Sequence, residues 1–434
     1  MAHDGKLGDR VVGWYGRVAA DKLEKNPGFV SGWLDFGYKL MTEKSKRLPD
    51  GNLHPSGQKG YALFMQSVVD AYTDPDDSIV TSIFLPTQIF RALGVKPLTA
   101  EAAAAFVSGA QAEDAFLANA EGAGFPETYC SYHRALLGLV NSGVFAPRKM
   151  VASCSVACDA NNLTFRELQR RWDCERAYID VPYDTSDDSV HYVADQLRRM
   201  VPVAESAYGR RLDHDKLRQL VATSLKTEQT LLRTIHARRG HYLANTMTLD
   251  MMEMLDFQLS LGLPQTDALA EQMLRDFTSA DAYQGVNLVW AHVSPYFLGS
   301  LGAMIDHSLT SQIVASDMMF HQALPEEGKA FGADEPFEAM AESMVKSCYN
   351  GPASRRAHTL RRLAEETAAD GVVVFCHWGC KETAGAAQYV KRTLEEAGFP
   401  TLVLDGDGCD RANCMEGQLS TRFSAFIEML RARR

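Results

Sequence analysis

One stretch constrains this chain more than any other: Gly371–Gln388, GVVVFCHWGCKETAGAAQ. Val372 to Phe375 are four consecutive apolar residues, a short buried-strand signal. Glu382 to Leu394 carries a helical pattern, and Cys376, His377, Trp378, Gly379 and Cys380 fall in the turn between. A strand that runs directly into a helix puts its turn at the carboxyl edge of a sheet and at a helix N-terminus. Ligands of open α/β folds bind at that edge. Two thiols there are placed for chemistry as well as for packing.

The same arrangement recurs upstream. Lys149–Ser153 (KMVAS) reads as a strand that feeds Cys154 and Cys158, with a helix following over Leu163–Trp172. Cys130 follows a proline-containing loop and leads into a helix over Tyr132–Val140. Further strands are expected at Ser78–Leu85, Arg176–Val181, 286–294, 311–317 and Thr401–Leu404. Pro86 opens a helix that ends at Gly94, and residues 100–119 are Ala-rich and helical. Between the two groups of strands, residues 187–280 carry almost only helix signal, with segments at Val190–Met200, His214–Arg238 and Thr248–Gln258. In the second half, helices are expected at Leu298–Leu309, Phe337–Cys348, Arg355–Ala368 and Ser420–Arg431. LPDGN at 48–52 and HPSG at 54–57 read as loops.

Strands alternating with helices imply parallel sheets joined by right-handed crossovers. The expected fold is α/β, with two parallel-sheet units of Rossmann or flavodoxin-like kind. Its divisions are a helical N-terminal extension over 1–60, a first α/β domain over 61–185, a helical connecting region over 186–282 and a second α/β domain over 283–434. A length of 434 residues agrees with more than one domain.

The formal net charge of -11 argues against nucleic acid or an anionic membrane as the main partner. No apolar run approaches bilayer length, and MAHDGKLGDR lacks the apolar core of a secretory signal, so a cytoplasmic location is expected. Reduced thiols follow from that location, and nine cysteines, an odd number, fit a disulfide framework poorly.

Three cysteine turns therefore stand out: Cys130, the pair Cys154/Cys158 and the pair Cys376/Cys380. The third lies on the second α/β unit, so a cofactor that joins them would sit in the cleft between domains. Thiolates favour soft metals, which points to zinc or an iron–sulfur cluster. Structural zinc takes local cysteine pairs. Thiols this far apart in sequence favour a cluster.

Other residues leave alternatives open. His377 and Trp378 either shape the pocket or pack. Asp405, Asp407 and Asp410 read as a turn near the cleft, because their spacing does not fit an EF-hand. MTLDMMEMLDF at 247–257 reads as helix core, and Cys174 as structural. Arg355, Arg356, Arg361 and Arg362 share one helix and read as a solvated face, with phosphate groups or a protein partner as the alternative.

An ordered set of segments resembles one family. They are FLPTQIFRALGVKP (84–97), ETYCSYHRALLG (127–138), SCSVACDANNLTFREL (153–168) and IDVPYDTSDDSVHYVADQL (179–197). DGVVVFCHWGCKETAGAAQYVKRTLEEAGFPTLVLDGDGCD (370–410) and EGQLSTRFSAFIEML (416–430) complete the set. Over roughly Tyr61–Leu430 the chain resembles the 2-hydroxyacyl-CoA dehydratase components related to benzoyl-CoA reductase subunits. The resemblance implies a [4Fe–4S] cluster in the interdomain cleft, with Cys130, Cys158 and Cys380 as its ligands and one iron site left open. It also implies removal of water from a 2-hydroxyacyl-CoA through a ketyl radical, after one electron arrives from a separate ATP-dependent activator. The chain has no phosphate-binding loop of its own, which agrees with an outside donor. The family works as dimers, so a homodimer or a heterodimer with a paralogous subunit is expected.

Two departures keep other readings open. Surplus thiols could build a double-cubane [8Fe–9S] cofactor from Cys130, the pairs 154/158 and 376/380, and Cys348 or Cys409, in a reductase of small molecules. Alternatively, the chain could be a paired subunit that only relays electrons.

Overall fold

The computed structural model describes residues 4–322 and 330–434. The first three residues of the expected N-terminal extension, and 323–329 of the expected second unit, lie outside the described residues. Three helices open the chain: α1 (Asp4–Lys22), α2 (Pro27–Arg47) and α3 (Pro55–Tyr72). Asn26 caps α2 by accepting from the Phe29 N–H, and Pro27 occupies its first turn. Pro55 does the same for α3, so the HPSG segment expected as a loop runs into the first turn of a helix.

The first sheet is built from β1 (Ser78–Thr81), α4 (Gln88–Ala92), β2 (Lys96–Thr99), α5 (Ala100–Gly109), α6 (Glu113–Gly122), α7 (Ser131–Asn141), β3 (Met150–Cys154), α8 (Asp159–Trp172) and β4 (Glu175–Ile179). Its strands run parallel in the order β2-β1-β3-β4. Long helices follow: α9 (Asp187–Tyr208), α10 (His214–Ala237), α11 (Met247–Leu259) and α12 (Pro264–Ser279). The second sheet comprises β5 (Val286–Ala291), α13 (Gly299–Ile305), β6 (Ser311–Ser316), α14 (Pro336–Val345), α15 (Ala353–Thr367), β7 (Gly371–His377), α16 (Lys381–Glu396), β8 (Thr401–Gly406) and α17 (Glu416–Ala432). It is also parallel, in the order β6-β5-β7-β8.

The α/β expectation with two parallel sheets is met, with local corrections. The strand expected over Ser78–Leu85 stops at Thr81, and Ser82–Pro86 turns across the sheet edge. β2 was not foreseen: KPLT is short and contains Pro97, which weakens a strand signal, but the position is at the sheet edge where proline is tolerated. The Ala-rich run splits into α5 and α6. Pro264 starts α12, which the pattern had not separated.

Both sheets reverse strand order at one point, between β1 and β3 and between β5 and β7. Loops leaving adjacent strands in opposite directions open a crevice there, at the carboxyl edge. The two edges face each other. Tyr132 Oη donates to Gly408 O at 2.9 Å, Ser108 Oγ to Cys409 O at 3.0 Å, and Tyr296 Oη to Ala105 O at 3.1 Å. Among the described residues no helix is long and apolar enough to cross a membrane.

Helix α7, which carries Cys130 at its start, is seated by close backbone packing on α6. A Cβ at Gly138 would lie 1.9 Å from Phe116 O, so no larger residue fits without moving a helix. Gly138→Ala is expected to destabilise the protein by about 1–3 kcal/mol, as overpacking does. The check is the urea midpoint at unchanged slope.

Candidate metal centre

Cys130, Cys158 and Cys380 are the N-cap residues of α7, α8 and α16, and none of the three thiols caps its helix by a hydrogen bond. Helix starts favour Ser, Thr, Asp or Asn at that position. Three helices of this chain instead start at a cysteine whose sulfur makes no cap. The helix starts also offer the partial positive charge of three macrodipoles to whatever anion lies between them.

The three turns converge. Gly379, at φ +79°, lets the loop after β7 pass directly over the start of α7. A Cβ on it would stand 2.9 Å from the backbone of Cys130. Burial pushes the Cys130 thiol well above its ordinary range, and the nearby Cys380 adds to the shift. Cys158 is raised in the same way, with Cys130 and Cys380 contributing after burial. Cys380 is raised by burial and by Glu382. Cys130 is buried, while Cys158 and Cys380 keep part of their surface open.

Two histidines stand on the sulfurs. The Gly408 N–H donates to His377 Nδ1 at 3.0 Å, so in the neutral ring the proton sits on Nε2. That nitrogen faces Cys130 Sγ at 3.3 Å and donates to it. Burial lowers the pKa of His377 and keeps the ring neutral. His133 Nε2 lies 3.4 Å from Cys158 Sγ, and its Nδ1 meets Thr164 Oγ1 at 2.9 Å. Burial, with His377 adding, lowers its pKa to about 3.

Two buried arginines hold the loops. Arg134 reaches the Tyr129 carbonyl at 3.1 Å and Asp410 at 3.1 Å, with Glu121 as a further partner, and so ties α7 to the loop after β8. Arg356 is 2% exposed. Its Nε donates to Asp317 Oδ2 at 2.7 Å, and its Nη1 to Glu382 Oε2 at 2.8 Å and Thr383 Oγ1 at 3.2 Å. Thr383 Oγ1 in turn lies 3.8 Å from Cys380 Sγ. Burial opposes the Arg356 charge, but Asp317 and Glu382 outweigh it and raise its pKa. Asp317 Oδ1 also accepts the His292 N–H at 2.8 Å.

This corrects the expectation of a solvated arginine face. Arg356 and Arg362 are buried, and Arg355 is spent on the Val345, Asn350 and Tyr183 carbonyls. Of the four, only Arg361 faces solvent, paired with Glu365. A helical pattern shows which side a residue is on and not whether a carboxylate waits there.

Of the remaining thiols, Cys409 adjoins Cys130 and Cys376 adjoins Cys380. Cys154 is fully buried with Sγ 3.5 Å from Ser82 Oγ. Cys348 lies near the Asp317 carbonyl and Cys409 near that of Ala104. Cys376 interacts with Asp405, and Cys414 accepts from the Asp407 N–H at 3.1 Å. Trp378 is 51% exposed, and the Met-rich segment forms α11, with Met251 and Met254 buried. Asp407 is buried against Ser131 and the loop N–H groups, so the acidic turn does border the cleft. Among the described residues no three His, Cys, Asp or Glu side chains gather tightly enough to hold a single metal ion.

Arg134, Asp317 and His133 were not named from the sequence, and Arg356 was named only as one of four arginines on a helix. Their roles depend on partners far along the chain. His133 had the best cue, three residues after Cys130 and thus one turn into the same helix.

A two-sheet α/β protein with cysteine-started helices facing one cleft is the class this geometry defines. Residues 82–430 match the family described as 2-hydroxyglutaryl-CoA dehydratase, D-component. The chain belongs to that family. It is similar to the (R)-phenyllactyl-CoA dehydratase alpha subunit of Clostridium sporogenes, 24% identical over 80% of this chain and 88% of that one. It is also similar to the lactoyl-CoA dehydratase subunit alpha of Anaerotignum propionicum, 22% identical over 80% and 89%. A benzoyl-CoA reductase subunit of Thauera aromatica is 20% identical over 73% and 80%.

Replacing Arg356 by Met leaves Asp317 without its buried countercharge. The expected cost is about 3–5 kcal/mol, the range for breaking a buried pair from one side. Arg356→Lys should recover part of it. Denaturant unfolding of the two variants checks both.

Proposed function

We propose that this chain is the iron–sulfur subunit of an activator-dependent (R)-2-hydroxyacyl-CoA dehydratase, with Cys130, Cys158 and Cys380 holding a [4Fe–4S] cluster. One observation carries the reading: three cysteines from both sheets start helices whose turns adjoin, close enough for the thiols to add to burial in raising one another's pKa. A cube differs from a single ion because each thiolate binds a different iron, so its ligands surround a volume and need not touch one point. The thiol set suits soft iron, and the helix ends suit the negative charge that a thiolate-held cluster carries. Cys154 packs by Ser82 and Cys348 by the Asp317 carbonyl, while Cys376 adjoins Cys380 and Cys409 adjoins Cys130, so the iron count decides between three ligands and six.

When bound, such a cluster supplies single electrons to a thioester carbonyl and makes the adjacent 2-hydroxyl a leaving group. The residues of the chain set the conditions for that. His377 gives its Nε2–H to the Cys130 sulfur, a hydrogen bond of the kind that raises a cluster's potential. Arg356 holds Thr383 and the start of α16, and so aims Cys380. Tyr132 bridges the cleft by donating to the Gly408 carbonyl. The relatives named as alpha subunits support assembly with a partner subunit, and a separate ATP-dependent activator is the expected electron donor.

Anaerobic iron and sulfide analysis should find about four irons per chain, and about eight would favour the double cubane instead. Cys158→Ala should lose most iron and colour while remaining folded. Full iron and turnover in that variant would overturn the assignment. Gly379→Ala should likewise lose iron, because the added methyl group pushes the Cys380 loop away from Cys130.

A further inference from the structure

His292 touches none of the three cysteine sulfurs. It follows β5 at the carboxyl edge, at the crevice between β5 and β7. Its backbone adopts φ +77°, a conformation that costs a non-glycine residue energy and persists only when its surroundings enforce it. Asp317, itself pinned by Arg356, enforces it through the His292 N–H. The ring stands 6.1 Å, centroid to centroid, from His377, which contacts Cys130. So one side of His292 borders the cysteine cleft.

The other side lines a cavity of about 20 Å³ between α11, β5 and β6. That volume accommodates one water molecule. Its apolar walls include Met251, Met254, Trp290 and Met318, and its polar lining residues are Asp250, Arg238, His292, Ser294 and Ser316. The two serines are hydrogen-bonded to Met247 O and the Met318 N–H, whereas Asp250 Oδ2, Arg238 Nε and His292 Nδ1 are buried atoms with no hydrogen-bond partner. Three unpaired polar atoms around one water-sized space form a polar site, which an apolar packing defect would not.

We propose that Asp250, a water in this cavity and His292 form a proton path that ends at the cysteine cleft. The path rests on the dehydratase reading for its purpose. In a dehydration the departing 2-hydroxyl takes up one proton to leave as water, and the β-carbon releases one. Asp250 gives its proton to the water, the water gives one to His292 Nδ1, and the ring releases the proton on its other nitrogen to the departing oxygen. The β-proton returns through the same groups in reverse. Protons balance over each turnover and no electrons move along the path. Burial, with Glu253 adding, raises Asp250 well above the carboxylate range, so it holds a proton to give. Burial, with Arg356 and His377 adding, keeps His292 neutral and able to accept one. Arg238 Nε supplies a donor that orients the water.

His292→Gly removes the ring and also relieves the strained backbone, so the variant folds. In the complete enzyme with activator and ATP, and with (R)-phenyllactyl-CoA and lactoyl-CoA as probes, it should keep wild-type iron and EPR signal. Its turnover should fall by about 100-fold or more, the usual share of a positioned acid–base group. Free imidazole should restore part of that turnover, which a packing role would not allow. Independently of activity, Asp250→Asn should move the ring ¹⁵N resonance of His292, identified as the signal missing from His292→Gly. Undiminished turnover of His292→Gly at full iron, or an unmoved resonance in Asp250→Asn, would overturn the path. A wild-type protein without iron or turnover would sink the dehydratase reading instead, and the resonance shift would then decide the cavity link alone.

Discussion

The ion pair between Arg356 and Asp317 is the contact on which the rest of the cleft depends. Taking a guanidinium and a carboxylate out of water is expensive, and hydrophobic replacements of similar shape are often no less stable. Their value here is positional. Asp317 follows β6 and grips the backbone of His292 after β5, while Arg356 on α15 grips Glu382 and Thr383 in the first turn of α16. Loops from three neighbouring strands of the second sheet are thus set by two side chains. The Tyr349 ring, 4.8 Å from the guanidinium carbon, covers it and keeps the local dielectric low.

Arg134 plays the corresponding part on the other half. It ties the loop before α7 to the loop after β8, so Cys130 is referenced to the second sheet and not only to its own. Each of the two arginines is neutralised by two carboxylates, Arg134 by Glu121 and Asp410 and Arg356 by Asp317 and Glu382, so their part is to position the loops. The helix starts supply partial positive charge. Burial first, and then Asp407, Glu101 and Glu382, act against the helix starts, raising the thiol pKa of Cys130, Cys158 and Cys380 respectively.

Much of this was legible in the residues. Strand, cysteine, helix is a pattern visible at 149–172 and again at 371–394, and the structure puts a helix N-cap on the predicted cysteine in both. Alternation of strands and helices fixed the class of sheet, because parallel strands need crossovers. What stayed hidden depended on distance along the chain. Arg356 reads as one more charge on an amphipathic helix until Asp317 and Glu382 are brought to it. His292 reads as the end of a strand, and its left-handed backbone follows from a carboxylate 25 residues away. β2 was missed for a local reason, since Lys96-Pro97 is a poor strand opening that an edge position tolerates.

The cleft joins residues 247 positions apart at Cys130 and His377, and closing so long a span costs chain entropy. A bound cofactor could meet that cost only if the two halves waited for it. The contacts across the edges indicate otherwise: Tyr132 to Gly408, Ser108 to Cys409, Ser131 to Asp407 and Tyr296 to Ala105 are all made between protein groups. Buried side chains of both sheets also belong to one continuous apolar cluster, from Val80 and Val151 to Val373 and Phe375. The halves are therefore held together by ordinary core packing, and the thiols are brought together as a consequence. The ordering cost of bringing the cleft's residues together is thus met by folding itself, unlike small metal domains whose fold and metal binding are a single event.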